Sequence, residues 1–359
     1  MLTATDLTTS RDALVARINA EFLTLNSKID PAPVPVVDPG IKFAAHRYFW
    51  SGPVEPGMSF RDIQAGPSVN PASFTGERYR YASTARIQSA VGGDTSGWTE
   101  LLRPNLVGYE WLAHAGGTAV TRNGGTQSLL DLGDQGLISA VQSNLPSLLA
   151  GYDGLYLDEV NQELLWAWPV YPVEFPTPVS WRATLATFVS RLSTTLRSTG
   201  KKLWINLGAD YDVADPWQAS LINSADGINI EQFVGRDMSG YPPAVGADWL
   251  RQVTFLQKVE SSGKQIHVHA ATTKQGVVDL AFGSYLLGTS FRGSFSASGD
   301  YSGAVQFPSS GLLASARKLG APKGPFTMAT ETSTGIRTYA NGLVSVNPGS
   351  GTTNISLIN

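Results

Sequence analysis

From about residue 40 to residue 305, short apolar runs alternate with longer amphipathic stretches, and this alternation limits the fold more than any other feature. The apolar runs predict strands at residues 41–45, 79–84, 106–111, 129–132, 154–157, 202–206, 227–230, 265–269 and 290–295. The amphipathic stretches predict helices that include residues 136–150, 181–198, 247–262 and 273–287. Apolar strands that alternate with helices are typical of a parallel sheet covered on both faces.

One run of roughly 250–290 residues with this pattern favours a single (β/α)8 TIM barrel over two separate domains. Nine strands are predicted where such a barrel needs eight, so one of them is expected to lie outside it. A doubly wound open sheet is the alternative, but no G-x-G-x-x-G motif follows the first predicted strand. The predicted fold class is therefore α/β, with a (β/α)8 catalytic barrel over residues 39–305.

The composition changes at each end of this region. After Pro308 the chain is rich in Thr, Ser, Gly and Asn, and Asn341-Gly342 predicts a hairpin turn. Residues 306–359 are therefore expected to form a β-rich segment of two or three strands that closes the structure. At the other end, residues 31–38 begin with the sequence PAPVP and form a stiff proline-rich linker.

Residues 1–30 are predicted to hold a separate helix that Asp6 can cap. Apolar residues recur along it at steps of three and four, as in a heptad seam: Leu14, Ile18, Phe22, Leu25 and Ile29. Two readings stay open. The helix either packs on the main domain, or it forms a short coiled coil that makes a homotrimer or attaches the chain to another protein.

Composition excludes several kinds of partner and chemistry. The 26 basic and 29 acidic residues give a net charge of −3, which argues against nucleic acid as a partner. The absence of cysteine excludes thiolate metal sites, and four histidines leave little material for a histidine metal cluster, so no metal ligands are assigned and no cofactor is expected. A calcium site made of aspartate side chains and backbone carbonyls stays open. The N-terminus lacks the apolar core of a signal peptide, and no apolar run approaches the roughly 18 residues of a membrane helix. A soluble protein without a membrane partner is expected.

Candidate catalytic residues follow the predicted strands, because barrel sites lie at the carboxyl ends of strands. Asp158 and Glu231 each follow an apolar strand and are two β/α units apart, a spacing that can place two carboxylates on either side of a glycosidic bond. The alternative for each acid is to cap the following helix. Other polar residues at strand ends are expected to contact substrate, namely Asp131, Glu159, Asn206 and His269.

Residues 161–181 combine several prolines with large aromatic side chains. A loop braced by proline cannot be a core helix, yet it presents aromatic faces that can stack on sugar rings. Trp166 and Trp168 are therefore predicted to form a carbohydrate platform, whereas Trp181 is expected to begin a helix. The alternative is a loop that packs its aromatic side chains on itself.

An ordered set of motifs resembles the TIM-barrel glycoside hydrolases described as hypothetical glycosyl hydrolases or endo-polygalactosaminidase-like enzymes. The set comprises HAGGT at 114–118, LDLGD at 130–134, GYDGLYLDE at 151–159, LWIN at 203–206, IE at 230–231, SYLLGT at 284–289, LGAPKG at 319–324 and RTYANGLVSVNP at 337–348. The resemblance spans about residues 40–350 and implies that Asp158 and Glu231 are the catalytic pair. Chitinase-like barrels fit less well, because Tyr156 stands where their D-x-x-D-x-D-x-E motif needs an aspartate.

The sequence hypothesis is a glycoside hydrolase, endo-acting, that cleaves a bacterial cell-envelope or capsular polysaccharide. The separate N-terminal helix, the linker and the missing signal peptide favour a phage tail component, located on the virion or outside the cell, with tail or surface proteins as partners of the helix. Carboxyl groups about 5–5.5 Å apart would imply retention, and about 6.5–9.5 Å inversion. The competing hypothesis is a carbohydrate-binding adhesion protein that has a hydrolase-like barrel and no catalysis.

Overall fold

The computed structural model describes residues 41–43, 45–47, 62–64, 77–88, 97–102, 111–208, 211–212, 214–299, 305–328 and 334–358. The predicted N-terminal helix (1–30), the linker (31–38) and nearly all of the predicted strand at 106–111 lie outside these residues.

Sixteen strands occur in the described residues: β1 Ala45–Arg47, β2 Asp62–Gln64, β3 Arg78–Ser83, β4 Arg86–Gln88, β5 His114–Ala115, β6 Thr118–Ala119, β7 Thr121–Arg122, β8 Gln127–Leu129, β9 Gly154–Asp158, β10 Lys202–Asn206, β11 Gly227–Ile230, β12 Gln265–Ala271, β13 Ser294–Ser298, β14 Gly335–Tyr339, β15 Gly342–Asn347 and β16 Thr352–Leu357. The α-helices described there are α1 Trp98–Leu102, α2 Gln135–Leu148, α3 Pro178–Ser198, α4 Pro216–Ser224, α5 Gly246–Ser261, α6 Gln275–Gly288 and α7 Ser310–Ala316.

Eight of these strands form one sheet in the order β1-β2-β3-β9-β10-β11-β12-β13, and every neighbouring pair is parallel. A mixed α/β fold with a parallel sheet is thus confirmed. A parallel bridge also joins Phe43, just before β1, to Phe295 in β13, where the Phe295 N–H donates to the Lys42 carbonyl at 3.0 Å.

The strand predictions are accurate for β10 and β11 and less so elsewhere. The strand predicted at 290–295 begins four residues later, as β13. The strand predicted at 129–132 overlaps β8, which belongs to a small antiparallel sheet with β4 and β7, so it is a predicted strand that lies outside the main sheet. Residues 84–134, between β3 and α2, contain this small sheet and the β5-β6 hairpin. We call these residues the excursion.

The two faces of the parallel sheet carry different side chains. On one face, Leu155, Leu203 and Ile228 join the main hydrophobic core together with side chains of the surrounding helices. On the other face four aromatic side chains form a separate buried cluster, consisting of Tyr79, Tyr81, Tyr156 and Trp204. Period-2 alternation places successive side chains on opposite faces. Polar residues in register with the aromatic cluster therefore emerge on its face at the strand ends.

A glycine is required where this aromatic cluster meets β11. A Cβ atom on Gly227 would lie 2.2 Å from the indole ring of Trp204, on the adjacent strand. No side chain fits in that space, so only a glycine at this position lets the Trp204 ring pack against the backbone of β11.

The C-terminal strands β14, β15 and β16 form an antiparallel sheet that packs on α6. The hairpin turn is formed by Ala340 and Asn341, since Tyr339 pairs with Gly342. From β14, the buried guanidinium of Arg337 donates to the carbonyls of Leu287 and Thr289 at the end of α6, and also to those of Leu286 and Gly324. The Tyr339 hydroxyl also donates to the Leu286 carbonyl.

We predict that Arg337→Met lowers the free energy of unfolding by roughly 2–4 kcal/mol, because carbonyl groups buried at the end of α6 lose their donor. Urea unfolding followed by circular dichroism measures the change. The control is Arg317→Met at an exposed position, for which a change within about 0.5 kcal/mol is expected. Equal stabilities of the two variants would contradict the capping role of Arg337.

Candidate active site

The two candidate catalytic acids lie at the carboxyl ends of strands that are separated by one strand. Asp158 is the last residue of β9, and Glu231 follows β11 directly. Between them, Asn206 is the last residue of β10. Parallel strands end at the same edge of a sheet, so three residues far apart in sequence come together there.

The Asn206 side chain is hydrogen-bonded to both acids. Its Nδ2 donates to Asp158 Oδ1 at 2.7 Å and to Glu231 Oε1 at 2.9 Å. These two carboxylate oxygens therefore lie no further apart than the sum of the two bond lengths, about 5.6 Å. The structure thus brings together the residues that the sequence predicted to work as a pair.

The orientation of the Asn206 amide follows from its other contacts. Its Oδ1 accepts from the Gly208 N–H at 3.0 Å and from Asn229 Nδ2 at 3.1 Å. Because both partners are donors, the oxygen of the amide must face them and the NH2 group must face the acids. Asn229 is fully buried on β11, which holds the amide in this orientation.

Asp158 is only 6% exposed, and three groups of the described residues donate hydrogen bonds to it. The Tyr81 hydroxyl donates to Oδ2 at 2.7 Å, while the Glu159 N–H and Asn206 Nδ2 donate to Oδ1 at 2.8 and 2.7 Å. Such donors stabilise a buried carboxylate anion. Sequence analysis missed Tyr81, although its position on β3, in phase with Tyr79 and Ser83, places it on the same face as Asp158.

The Glu159 carboxylate accepts hydrogen bonds from two other side chains of the protein. It accepts from Arg122 Nη2 at 2.8 and 3.1 Å and from the Ser83 hydroxyl at 2.7 Å. Arg122 belongs to β7 of the excursion, 37 residues before Glu159 in the sequence. No motif in the sequence linked these two residues, so Arg122 was also missed.

The remaining predicted polar residues lie in two different places. His269 is 1% exposed and follows Val268, which pairs with Ile230, so His269 and Glu231 are neighbours on adjacent strands. Its Nδ1 is hydrogen-bonded to the Ser296 hydroxyl at 2.8 Å. Asp131 lies in the excursion, in the turn before α2, where its Oδ1 accepts from the Gly133 N–H at 2.9 Å.

The two tryptophans of the predicted platform differ in exposure. Trp166, at the end of a short 3-10 helix (Leu164–Trp166), is 69% exposed. Trp168 is 5% exposed, and the guanidinium of Arg122 lies 4.7 Å from the centre of its ring. Trp166 therefore presents a free aromatic face, whereas the ring of Trp168 is covered by the protein. Trp181 is buried in α3, which begins three residues earlier than predicted.

Within the described ranges, no group of three or more histidine, aspartate or glutamate side chains could hold a metal ion. Among the same residues, no helix combines the length and hydropathy needed to cross a bilayer.

No known protein-family model matches this chain, and no curated protein sequence matches it. Among solved structures, it is similar to a cycloisomaltooligosaccharide glucanotransferase from Paenibacillus sp., with 16% identity over 56% of this chain and 27% of that chain and a TM-score of 0.39. It is also similar to a GH36 alpha-galactosidase from Geobacillus stearothermophilus (9% identity, 75% and 36% coverage, TM-score 0.39) and to a debranching enzyme from Nostoc punctiforme (11% identity, 76% and 65% coverage, TM-score 0.42).

By their names these structures are glycosidases and related carbohydrate-active enzymes. The chain spans less than two thirds of the length of each of them. With identities below 25% and TM-scores below 0.5, these similarities carry no argument about function.

Asp131, which was predicted to contact substrate, has a carboxyl group whose pKa is shifted by its surroundings. Burial, followed by the negative charge of Glu174, raises its pKa above the ordinary value. The folded state therefore favours the protonated carboxyl group of Asp131. The stability that this group contributes is present at low pH and is lost as the pH rises through the pKa of the folded state. Asp131→Asn keeps an oxygen for the Gly133 N–H and removes the charge.

We predict that Asp131→Asn raises the melting temperature at pH 7, and that the two proteins melt at the same temperature near pH 3, where the wild-type carboxyl group is protonated. Calorimetry at both pH values measures the difference, and the acidic sample serves as the internal control. A lower melting temperature of the variant at pH 7 would show that the Asp131 charge stabilises the turn.

Proposed function

We propose that this protein is a glycoside hydrolase with Asp158 and Glu231 as its catalytic carboxylates. The observation that carries the proposal is the Asn206 amide, which donates to one oxygen of each acid. Two carboxylates at the carboxyl ends of parallel strands, held at a short distance from each other, are what cleavage of a glycosidic bond requires.

We also propose that the reaction retains the anomeric configuration. The two N–H bonds of an amide diverge by about 120°, so acceptors at 2.7 and 2.9 Å lie about 4.9 Å apart when each hydrogen has one acceptor. Retaining glycosidases have carboxyl groups about 5–5.5 Å apart, whereas inverting enzymes need about 6.5–9.5 Å to admit a water molecule. The separation supports the two-step mechanism.

The surroundings of the two acids suggest their roles. Asp158, buried and stabilised as an anion by three donors, is the nucleophile. One of its oxygens attacks the anomeric carbon, while the carboxyl group of Glu231 gives its proton to the leaving oxygen. In the second step Glu231 takes a proton from water, the resulting hydroxide attacks the anomeric carbon, and the bond to Asp158 breaks. Glu231 is half-buried, so a water molecule can reach it.

The loops that follow the two catalytic strands support a polymeric substrate and endo action. After β9, Trp166 exposes an aromatic face, and after β11, Tyr241 does the same. Aromatic residues on both loops would hold sugar units on both sides of the acids. In this proposal Trp168 stabilises the loop from within and does not touch the sugar.

We further propose that the eight parallel strands close into a (β/α)8 barrel. The bridge between Phe43 and Phe295 supports closure, because it pairs the residues before the first strand of the sheet with the last strand. The buried aromatic cluster on the opposite face from the helices would then be the interior of the barrel. A bacterial envelope or capsular substrate and a phage tail setting remain predictions from the sequence.

The first test is the release of reducing ends from a panel of purified bacterial envelope and capsular polysaccharides. We expect Asp158→Asn and Glu231→Gln each to lower the rate at least about 100-fold, because each removes a group that acts in the transition state. Binding to the same glycan should persist. The matched control is Asp153→Asn, at the opposite end of the segment that contains β9, whose carboxylate accepts from the Arg78 N–H.

Binding without cleavage by the wild type would favour the adhesion protein over the enzyme. Proton NMR of the first product formed tests the stereochemistry, and an inverted anomer would overturn the two-step mechanism. Azide tests the roles: with Glu231→Ala it should yield a glycosyl azide that has the configuration of the substrate.

For the exposed tryptophan we predict that Trp166→Ala raises KM on the polysaccharide several-fold with little change in kcat, because the ring contributes binding and takes no part in the reaction. Trp166→Phe should recover part of the affinity, and Val179→Ala, at another exposed apolar position, is the control. An unchanged KM for Trp166→Ala would remove this residue from the substrate site.

A further inference from the structure

The residue after the proposed nucleophile has an unusual backbone conformation. Glu159 has a φ angle of +56°, in the left-handed region that residues other than glycine rarely adopt. A glutamate remains in this conformation only when the surrounding structure holds it there.

The Glu159 carboxylate is held from two sides. Arg122 donates to both of its oxygens, and the Ser83 hydroxyl, on the strand next to β9, donates to one of them. Both oxygens are thus bonded to protein groups, and the side chain is largely buried. A carboxylate held in this way has little capacity left for a sugar hydroxyl.

Two contacts other than Glu159 also hold the Arg122 side chain in place. Its Nε donates to the side chain of Gln127, the residue opposite it on β8, at 2.6 Å. Its guanidinium also lies over the ring of Trp168, on the loop after β9. An arginine held by a hydrogen bond and by a ring contact loses little further freedom when it binds a carboxylate.

The backbone N–H of Glu159 links this held side chain to the nucleophile, Asp158. The Glu159 N–H donates to Asp158 Oδ1 at 2.8 Å. The φ angle of Glu159 sets the orientation of this N–H relative to its own Cβ atom and side chain. Holding the Glu159 side chain therefore fixes the direction of an N–H group that stabilises the attacking carboxylate.

We propose that Arg122 and Glu159 form a positioning pair that keeps the Glu159 N–H on the nucleophile, and that Glu159 does not bind the substrate. This inference rests on the proposed function, because it assigns the nucleophile to Asp158. It also gives the excursion a role, since the excursion supplies the arginine that completes the site from outside the parallel sheet.

Substitutions at Glu159 separate positioning from substrate contact. Glycine adopts the left-handed conformation without steric cost, whereas alanine does not. We expect Glu159→Ala to lower kcat about 10- to 100-fold with KM unchanged, and Glu159→Gly to retain several-fold more activity than Glu159→Ala. Equal losses in the two variants, or a rise in KM with kcat unchanged, would overturn the proposal.

Substitutions at Arg122 test whether it acts through Glu159. Arg122→Met should lower kcat and leave KM unchanged, and adding it to Glu159→Gly should cause no further loss. Arg197→Met is the matched control, because this arginine pairs with Asp226, in front of β11, at the opposite end of the sheet. A further loss in the double variant would mean that Arg122 acts independently of Glu159.

A readout independent of catalysis uses protein labelled with 15N-glutamate. The Glu159 amide proton, bonded to a carboxylate, should resonate downfield and move upfield in Asp158→Asn and in Arg122→Met, but stay in place in Arg197→Met. An unmoved resonance in Arg122→Met overturns the positioning pair whether or not the protein cleaves a glycan. A moved resonance together with a wild type that cleaves no glycan overturns the proposed function and leaves the backbone coupling in place.

Discussion

The parallel sheet has to bury both of its faces, and the rest of the structure depends on how it does so. Helices cover one face with aliphatic side chains, while Tyr79, Tyr81, Tyr156 and Trp204 pack on each other over the other face. These aromatic rings bury that face of the sheet below the strand ends. On the face that carries the aromatic cluster, the carboxyl ends of β9 and β10 and the residue after β11 are polar, namely Asp158, Asn206 and Glu231.

This constraint explains why part of the site could be predicted from the sequence. Asp158 and Glu231 each follow a short apolar strand, and Asn206 ends the strand between them. Once the strands are known to be parallel, the three residues must meet at one edge, since consecutive parallel strands end there together. The bounds of β10 and β11 were predicted correctly because each is a short run with an apolar centre between two helices.

What was missed depends on contacts between distant parts of the chain. Tyr81 reads as an ordinary core residue of a strand, and only the pairing of β3 with β9 brings its hydroxyl to Asp158. Arg122 lies in a short hairpin without any apolar periodicity. Trp168 was predicted to stack on sugar because it lies in an aromatic loop braced by prolines, but the guanidinium of Arg122 lies over its ring. These contacts join residues that are far apart in the sequence, so no local sequence pattern predicts them.

The end of α6 is stabilised by residues that lie far from it in the sequence. This helix has no glycine after its last turn to redirect its final carbonyls, and its cap residue is Thr289. Arg337, which lies 48 residues after Thr289, donates to these carbonyls instead. The C-terminal strands therefore act as a distant helix cap. Because the helix end and these strands stabilise each other, the two regions are expected to unfold in one cooperative transition.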